Sequence, residues 1–205
     1  MISDVEYQRI HEHLFAPPLD GPIPVLYVIL DGASVKTLPH TLEEIEDTSY
    51  RCLFRGELDE VMESRAPYLV RVDEDSRLVK WLLREGWGHH WGVFVKVPPD
   101  ETPDSLRRHF RKLLQVRLPD NCIVLFRFYD PRVLRVFLPT CERAELDKIF
   151  GTSLAFCVET EDGEALEEFS RHPRTHKLHC ETPWTRAEAS ITTEPQYATA
   201  TIPSY

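Results

Sequence analysis

Few residues in this chain have types and spacings suited to chemistry. Asp31-Gly32 follows the apolar run Val25–Leu30, so the Asp31 carboxylate would lie at a strand end, a common place for a catalytic base or metal ligand. His89 or His90 could complete a small hydrolase as its acid–base partner. However, Asp-Gly more often makes a turn, and adjacent histidines on a strand point to opposite faces. We therefore expect Asp31 to form a turn and keep the hydrolase as an alternative.

A second set of potential ligands lies near the carboxyl end. Its members, whose spacing could bind zinc, are His172, His176, His179 and Cys180. The flanking sequence lacks the apolar residues with which a small zinc domain encloses its ion. Glycine-rich phosphate loops, GxSxG and HExxH are all absent, and the chain has only 8 glycines. We therefore predict no metal, no cofactor and no catalytic residue, hence no enzyme.

The most distinctive polar residues interrupt an apolar stretch. Residues 122–128 predict a buried strand, and Asp130 and Pro131 then begin a helix, one as N-cap and the other at the first helical position. Arg127 and Arg132 flank this junction. A buried arginine needs a carboxylate or carbonyl partner, because an unpaired buried charge is costly. Two roles stay open for this corner: a lock for the junction, or the rim of a partner-binding groove.

A helix expected after Thr102 and Pro103 carries a basic stripe of Arg107, Arg108, Arg111 and Lys112. Such a stripe can dock an acidic partner, although a solvated helix face is the more frequent outcome. Nucleic-acid binding is not expected, because the stripe lacks interleaved exposed aromatic residues and the chain carries a net charge of −10.

The bulk composition narrows the class of protein. The chain has 205 residues, 42% hydrophobic and 28% charged, which suits a globular protein with one well-buried domain or two lobes. Its 5 cysteines are scattered and show no CxxC pair, which is typical of a reducing compartment. Neither an apolar signal core nor a run near the ~18 residues of a membrane span occurs. We expect a cytoplasmic protein that binds no membrane.

The order of elements predicts an α/β fold. Apolar strands alternate with helical segments, which favours a mixed, mainly parallel sheet with flanking helices. Residues 1–20 are expected to form an N-terminal helix and a proline-rich linker, and residues 21–170 the α/β domain. Beyond about His172 apolar periodicity disappears, so residues 171–205 are predicted to be a flexible tail.

Five blocks, in order, resemble domain-of-unknown-function family 4123. They are Leu26–Ala33, Ala66–Val70, Trp91–Val95, Leu106–Leu114 and Val124–Leu134, the last reading VLFRFYDPRVL. The likeness covers about residues 24–140. The chain departs from the family's habit of a serine near one strand end, where it has Lys96-Val97-Pro98.

Members of that family are adaptor chaperones of bacterial type VI secretion, encoded beside a VgrG spike protein and its toxic effector. The resemblance therefore implies a non-enzymatic protein that binds a cognate effector and promotes its loading onto VgrG. An immunity-type inhibitor of a neighbouring toxin remains the alternative, followed by the Asp31 hydrolase. We expect the effector to bind beside the corner, with Arg127, Asp130 and Arg132 as rim and Trp81 and Trp91 as floor. Arg108 and Arg111 are expected to add basic contacts.

Overall fold

The computed structural model describes residues 2–18, 21–45, 48–118 and 120–187. The strands are β1 (Val25–Asp31), β2 (Tyr50–Cys52), β3 (Pro67–Val72), β4 (Gly92–Val97), β5 (Gln115–Arg117), β6 (Ile123–Leu125), β7 (Ala155–Glu159), β8 (Ala165–Arg171) and β9 (Leu178–Thr185). The helices are α1 (Asp4–Phe15), α2 (Leu38–Glu44), α3 (Glu60–Arg65), α4 (Arg77–Trp81), α5 (Pro103–Leu113), α6 (Pro131–Phe137) and α7 (Arg143–Phe150). One π-helical turn, Leu82–Gly86, continues α4. Among these helices none is long and apolar enough to cross a membrane.

Seven strands form one sheet in the order β2-β3-β1-β4-β7-β8-β9, and every neighbouring pair is antiparallel. The prediction of a mainly parallel sheet is therefore wrong. Continuous apolar strands are typical of parallel sheets because helices cover both faces of those sheets. Here helices also cover both faces of the antiparallel sheet, so the strands have the same apolar pattern for the same reason.

Alternate strand residues point into two separate cores. One core lies between the sheet and α1, α2 and α4, and the strands contribute residues such as Val28 and Leu30 to it. The other lies between the sheet and α5, α6 and α7, and includes Ile29, Val93 and Val95. The result is a three-layer arrangement of helices, sheet and helices.

Several helix starts follow from their first residues. Ser3 accepts a hydrogen bond from the Glu6 N–H, and the Glu6 carboxylate accepts one from the Ser3 N–H, so the two residues form a capping box at the start of α1. Thr102 caps α5, whose first residue is Pro103. Asp130 caps α6, which begins at Pro131.

Two segments differ from expectation. Residues 122–128 do not form a buried strand of the main sheet. Only Ile123–Leu125 is a strand, it is exposed, and it pairs with β5 in a separate two-stranded ribbon. The predicted tail is wrong for residues 171–187, because β9 pairs with β8 along the edge of the sheet. This edge strand consists mostly of polar residues, so its sequence shows no apolar periodicity. Residues 188–205 of the predicted tail lie outside the described residues.

Candidate docking site and ionic corner

The predicted corner is a network of two buried carboxylates and two arginines. Arg127 donates to the Asp31 carboxylate, and its Nη2 lies 3.6 Å from Asp130 Oδ2. Arg132 binds Asp130 through both Nε and Nη2, at 3.0 and 2.8 Å. Asp31 and Asp130 are almost fully buried, whereas the arginine side chains are 38% and 49% exposed. Arg127 thus bridges the end of β1 to the start of α6.

The Asp31 carboxylate accepts three hydrogen bonds. Besides Arg127, it accepts hydrogen bonds from the Ala33 N–H at 2.9 Å and the Ser34 hydroxyl at 3.1 Å. Burial alone would raise the pKa of Asp130, but hydrogen bonds from Arg132 and the two arginine charges lower it overall. Both carboxylates therefore serve as anchors for the arginines and for the surrounding backbone, in keeping with the expected turn at Asp31.

The histidines proposed as partners of Asp31 are engaged elsewhere. His90 Nδ1 lies 2.9 Å from Glu159 Oε1, and Glu159 also accepts from the Gly88 and His90 backbone N–H groups. Burial raises the pKa of Glu159 despite these contacts. The His89 ring stacks beside Trp91. The structure does not bring either ring to Asp31 as a hydrolase would require.

Trp81 and Trp91 do not form the floor of a groove beside the corner. Their ring centroids lie 4.7 Å apart, and both rings pack against the core on the α1 side of the sheet. Asp31 and Arg127 lie on the opposite side, near Tyr129. A cavity of about 20 Å³ borders Trp91 and Glu159, a volume that suits one water molecule. The predicted site is thus divided between two layers.

The basic stripe on α5 is partly structural. Arg107 Nε donates to the Cys52 carbonyl at 2.9 Å, and Arg111 donates to the carbonyls of Leu53 and Phe54. These three carbonyls belong to the last residue of the short edge strand β2 and to the two residues after it, so the two arginines attach that segment to α5. Arg108, by contrast, is exposed.

An exposed apolar ribbon, which the sequence did not predict, adjoins the end of α5. Ile123, Val124 and Leu125 of β6 are all exposed, and Leu118 in the connecting turn is exposed as well. Since side chains alternate across a strand, β6 presents apolar groups on both of its faces. The Asp120-Asn121 turn, in which Asn121 has φ +66°, was the available indication of a hairpin here.

The ribbon forms one wall of a groove with a volume of about 790 Å³. The opposite wall comes from the segment after β2 and from α3. Apolar and basic side chains make up most of the lining, which consists of Leu53, Phe54, Arg55, Leu58, Met62, Arg111, Lys112, Leu114, Gln115 and Leu125. We call this surface, with the ribbon residues 123–125, the ribbon groove. Of the residues predicted for partner binding, it includes Arg111.

The residues whose spacing could bind zinc do not form a metal site in the described part of the chain. His176 Nδ1 lies 3.0 Å from Asp147 Oδ1, and His172 Nδ1 accepts from the Arg174 and Thr175 backbone N–H groups. Cys180 is exposed on β9. Within the described ranges no three His, Cys, Asp or Glu side chains are grouped to hold a metal ion.

Comparison with known proteins gives one match. The family model described as Domain of unknown function (DUF4123) matches residues 26–148. That range contains the corner, the basic helix and the ribbon groove. No curated protein and no solved structure matches the chain.

Proposed function

Because the chain belongs to the DUF4123 family, we propose that it is an adaptor chaperone of type VI secretion. In this proposal it binds one toxic effector in the cytoplasm, keeps it soluble, and promotes its loading onto the VgrG spike. The family resemblance suggests this role, and the physical features of the ribbon groove are consistent with it.

The observation that carries the proposal is the exposed β6 strand. Ile123 is 59% exposed and Leu125 is 51% exposed, the exposed Val124 lies between them, and Leu125 lines the groove. Contiguous exposed apolar groups of this kind mark protein interaction surfaces, because burying them against a partner releases ordered water. The hydrogen bonds and ion pairs that Asp31 and Asp130 make at the corner support a structural role for these two carboxylates instead of a catalytic one.

The mechanism we propose is temporary burial. An apolar segment of the effector fills the ribbon groove, so that neither surface is available for aggregation. The free edges of the ribbon offer backbone hydrogen bonds to an extended partner segment. The affinity must be moderate, because the effector has to leave with the spike.

The test is capture of the protein encoded next to this chain, with Ile123→Ser as the variant. Burying one isoleucine side chain contributes about 1.5–3 kcal/mol, so we expect affinity to fall by roughly tenfold or more. Ile23→Ser is the matched control, because Ile23 is 66% exposed and lies before β1, outside the ribbon groove. Equal capture by both variants would contradict the groove as the effector site.

Co-expression separates an adaptor from an immunity protein. An adaptor raises the soluble yield of the effector and links it to VgrG in a pull-down. An immunity protein instead rescues cells from the toxin without any such link, and that result would overturn the proposed function.

A further inference from the structure

The ribbon groove has an unusual charge for this protein. Its lining includes the cations Arg55, Arg111 and Lys112 and no carboxylate, although the whole chain carries a net charge of −10. A positive surface on an acidic protein directs an acidic partner to that one place, because the negative charges elsewhere on the protein repel the same partner.

No ion pair joins Arg55, Arg111 or Lys112 to a carboxylate in the described part of the chain. Burial lowers the pKa of Arg111, and the neighbouring charges of Arg107 and Arg55 lower it further. Arginines elsewhere do have carboxylate partners: Arg71 contacts Asp73, Arg84 contacts Asp4 and Arg171 contacts Asp147.

Apolar side chains line the groove together with these cations. Leu58 and Met62 contribute from one wall, and Leu114 and Leu125 from the other. A partner that only supplied charge would leave these side chains in water, and a partner that only supplied apolar groups would leave the cations uncompensated.

We propose that the ribbon groove binds a polypeptide segment in which apolar side chains alternate with, or are flanked by, carboxylates. This inference rests on the proposed function and names the chemistry of the effector segment. The apolar side chains occupy the space between Met62 and Leu125, and the carboxylates pair with Arg55 and Lys112.

Three labelled peptides of equal length test the chemistry directly on the purified full chain: alternating Leu and Glu, alternating Leu and Lys, and alternating Ser and Glu. We expect the Leu/Glu peptide to bind at least tenfold more tightly than either of the others. Its affinity should fall as salt rises from about 0.05 to about 0.5 M. Equal or tighter binding of Leu/Lys or of Ser/Glu overturns the inference, and so does the absence of binding by all three.

Charge reversal locates the site. The double variant Arg55→Glu/Lys112→Glu should weaken Leu/Glu binding by about tenfold. Lys80→Glu is the matched control, because Lys80 is also an exposed lysine in the last turn of a helix but lies on α4, across the sheet. Equal losses in the two variants overturn the assignment to this groove.

The outcomes distinguish this inference from the proposed function. If capture of the neighbouring effector is lost in Ile123→Ser but unchanged in the double charge variant, the adaptor proposal stands and the acidic segment does not. If the purified chain forms a dimer that Ile123→Ser dissociates, a second copy occupies the ribbon groove and the inference is wrong.

Discussion

Truncating Arg127 separates the two roles that the sequence left open for the corner. In Arg127→Ala, the Asp31 carboxylate, which is 1% exposed in the parent, loses its cation and keeps the Ala33 N–H and the Ser34 hydroxyl as donors. Removing one partner of a buried ion pair costs about 3–5 kcal/mol. Because the Arg127 side chain is 38% exposed, water replaces part of the interaction, and we expect a loss of about 2–3 kcal/mol.

Thermal unfolding measures this loss. For a chain of this size, 1 kcal/mol corresponds to about 2–4 °C in Tm, so Arg127→Ala should lower Tm by roughly 5–10 °C. Arg132→Ala is the comparison: Arg132 is half-exposed, and Asp130 keeps Arg127 nearby, so a loss of about 1 kcal/mol is expected. A double-mutant cycle with Asp31→Ala should give a coupling energy above about 1 kcal/mol.

One result would refute this reasoning. If Arg127→Ala or Arg132→Ala leaves Tm within about 2 °C of the parent and abolishes effector capture, the arginine serves as a contact for the partner. The corner would then be the groove rim that the sequence suggested, and its carboxylates would only orient the guanidinium groups.

Two further predictions concern the sheet. Glu168 accepts from Lys96 Nζ at 2.8 Å; burial would raise its pKa, but His13 and Lys96 lower it to about 2. A folded-state pKa below the unfolded value means that this stabilisation is present above about pH 4.5 and lost towards pH 2. Urea titrations should therefore show a decline on the order of 2 kcal/mol over that range, which Glu168→Gln flattens. Gly92→Ala should cost about 3 kcal/mol or prevent folding, measured by the same titration, because a Cβ would overlap the Ile29 carbonyl oxygen.

Local structure was predictable where a few adjacent residues decide it. The caps at Ser3, Thr102 and Asp130 each satisfy free backbone N–H groups with a side chain close in sequence. Asp162-Gly163 is a dipeptide typical of a hairpin turn, and the two strands that flank it, β7 and β8, do pair. Caps and turns of this kind depend on contacts between residues only a few positions apart, so the local sequence is enough to predict them.

Strand direction was not predictable in the same way. β1 reads as a continuous apolar run because both of its faces are covered, and that pattern carries no information on whether β3 and β4 run parallel to it. The prediction for residues 122–128 was wrong for a related reason: Ile123–Leu125 has the composition of a core strand, yet it is exposed, and the buried residues resume only at Phe128. An apolar strand left outside the core differs from a buried one only in its tertiary surroundings.

The sequence indicated the residues of the corner but not that Asp31 contacts them. Arg127 and Asp130 lie close in sequence, whereas Asp31 reaches them from 96 residues away. The sequence did not show on which side of the sheet the tryptophans lie: Trp81 is on α4 and Trp91 just precedes β4, and both pack against the core on the α1 side. The ribbon groove combines α3, α5 and β6, which no spacing rule connects.

The contact between α1 and the last strand has a consequence for biosynthesis. Glu6 in α1 binds Arg186 just after β9, and His13 lies 2.8 Å from Glu168 in β8. At about 5–20 residues per second, the ribosome adds Arg186 roughly 10–35 s after Glu6. Throughout that interval the nascent chain carries its first helix without the Glu6–Arg186 ion pair, so this attachment of α1 forms only after β9 has been translated.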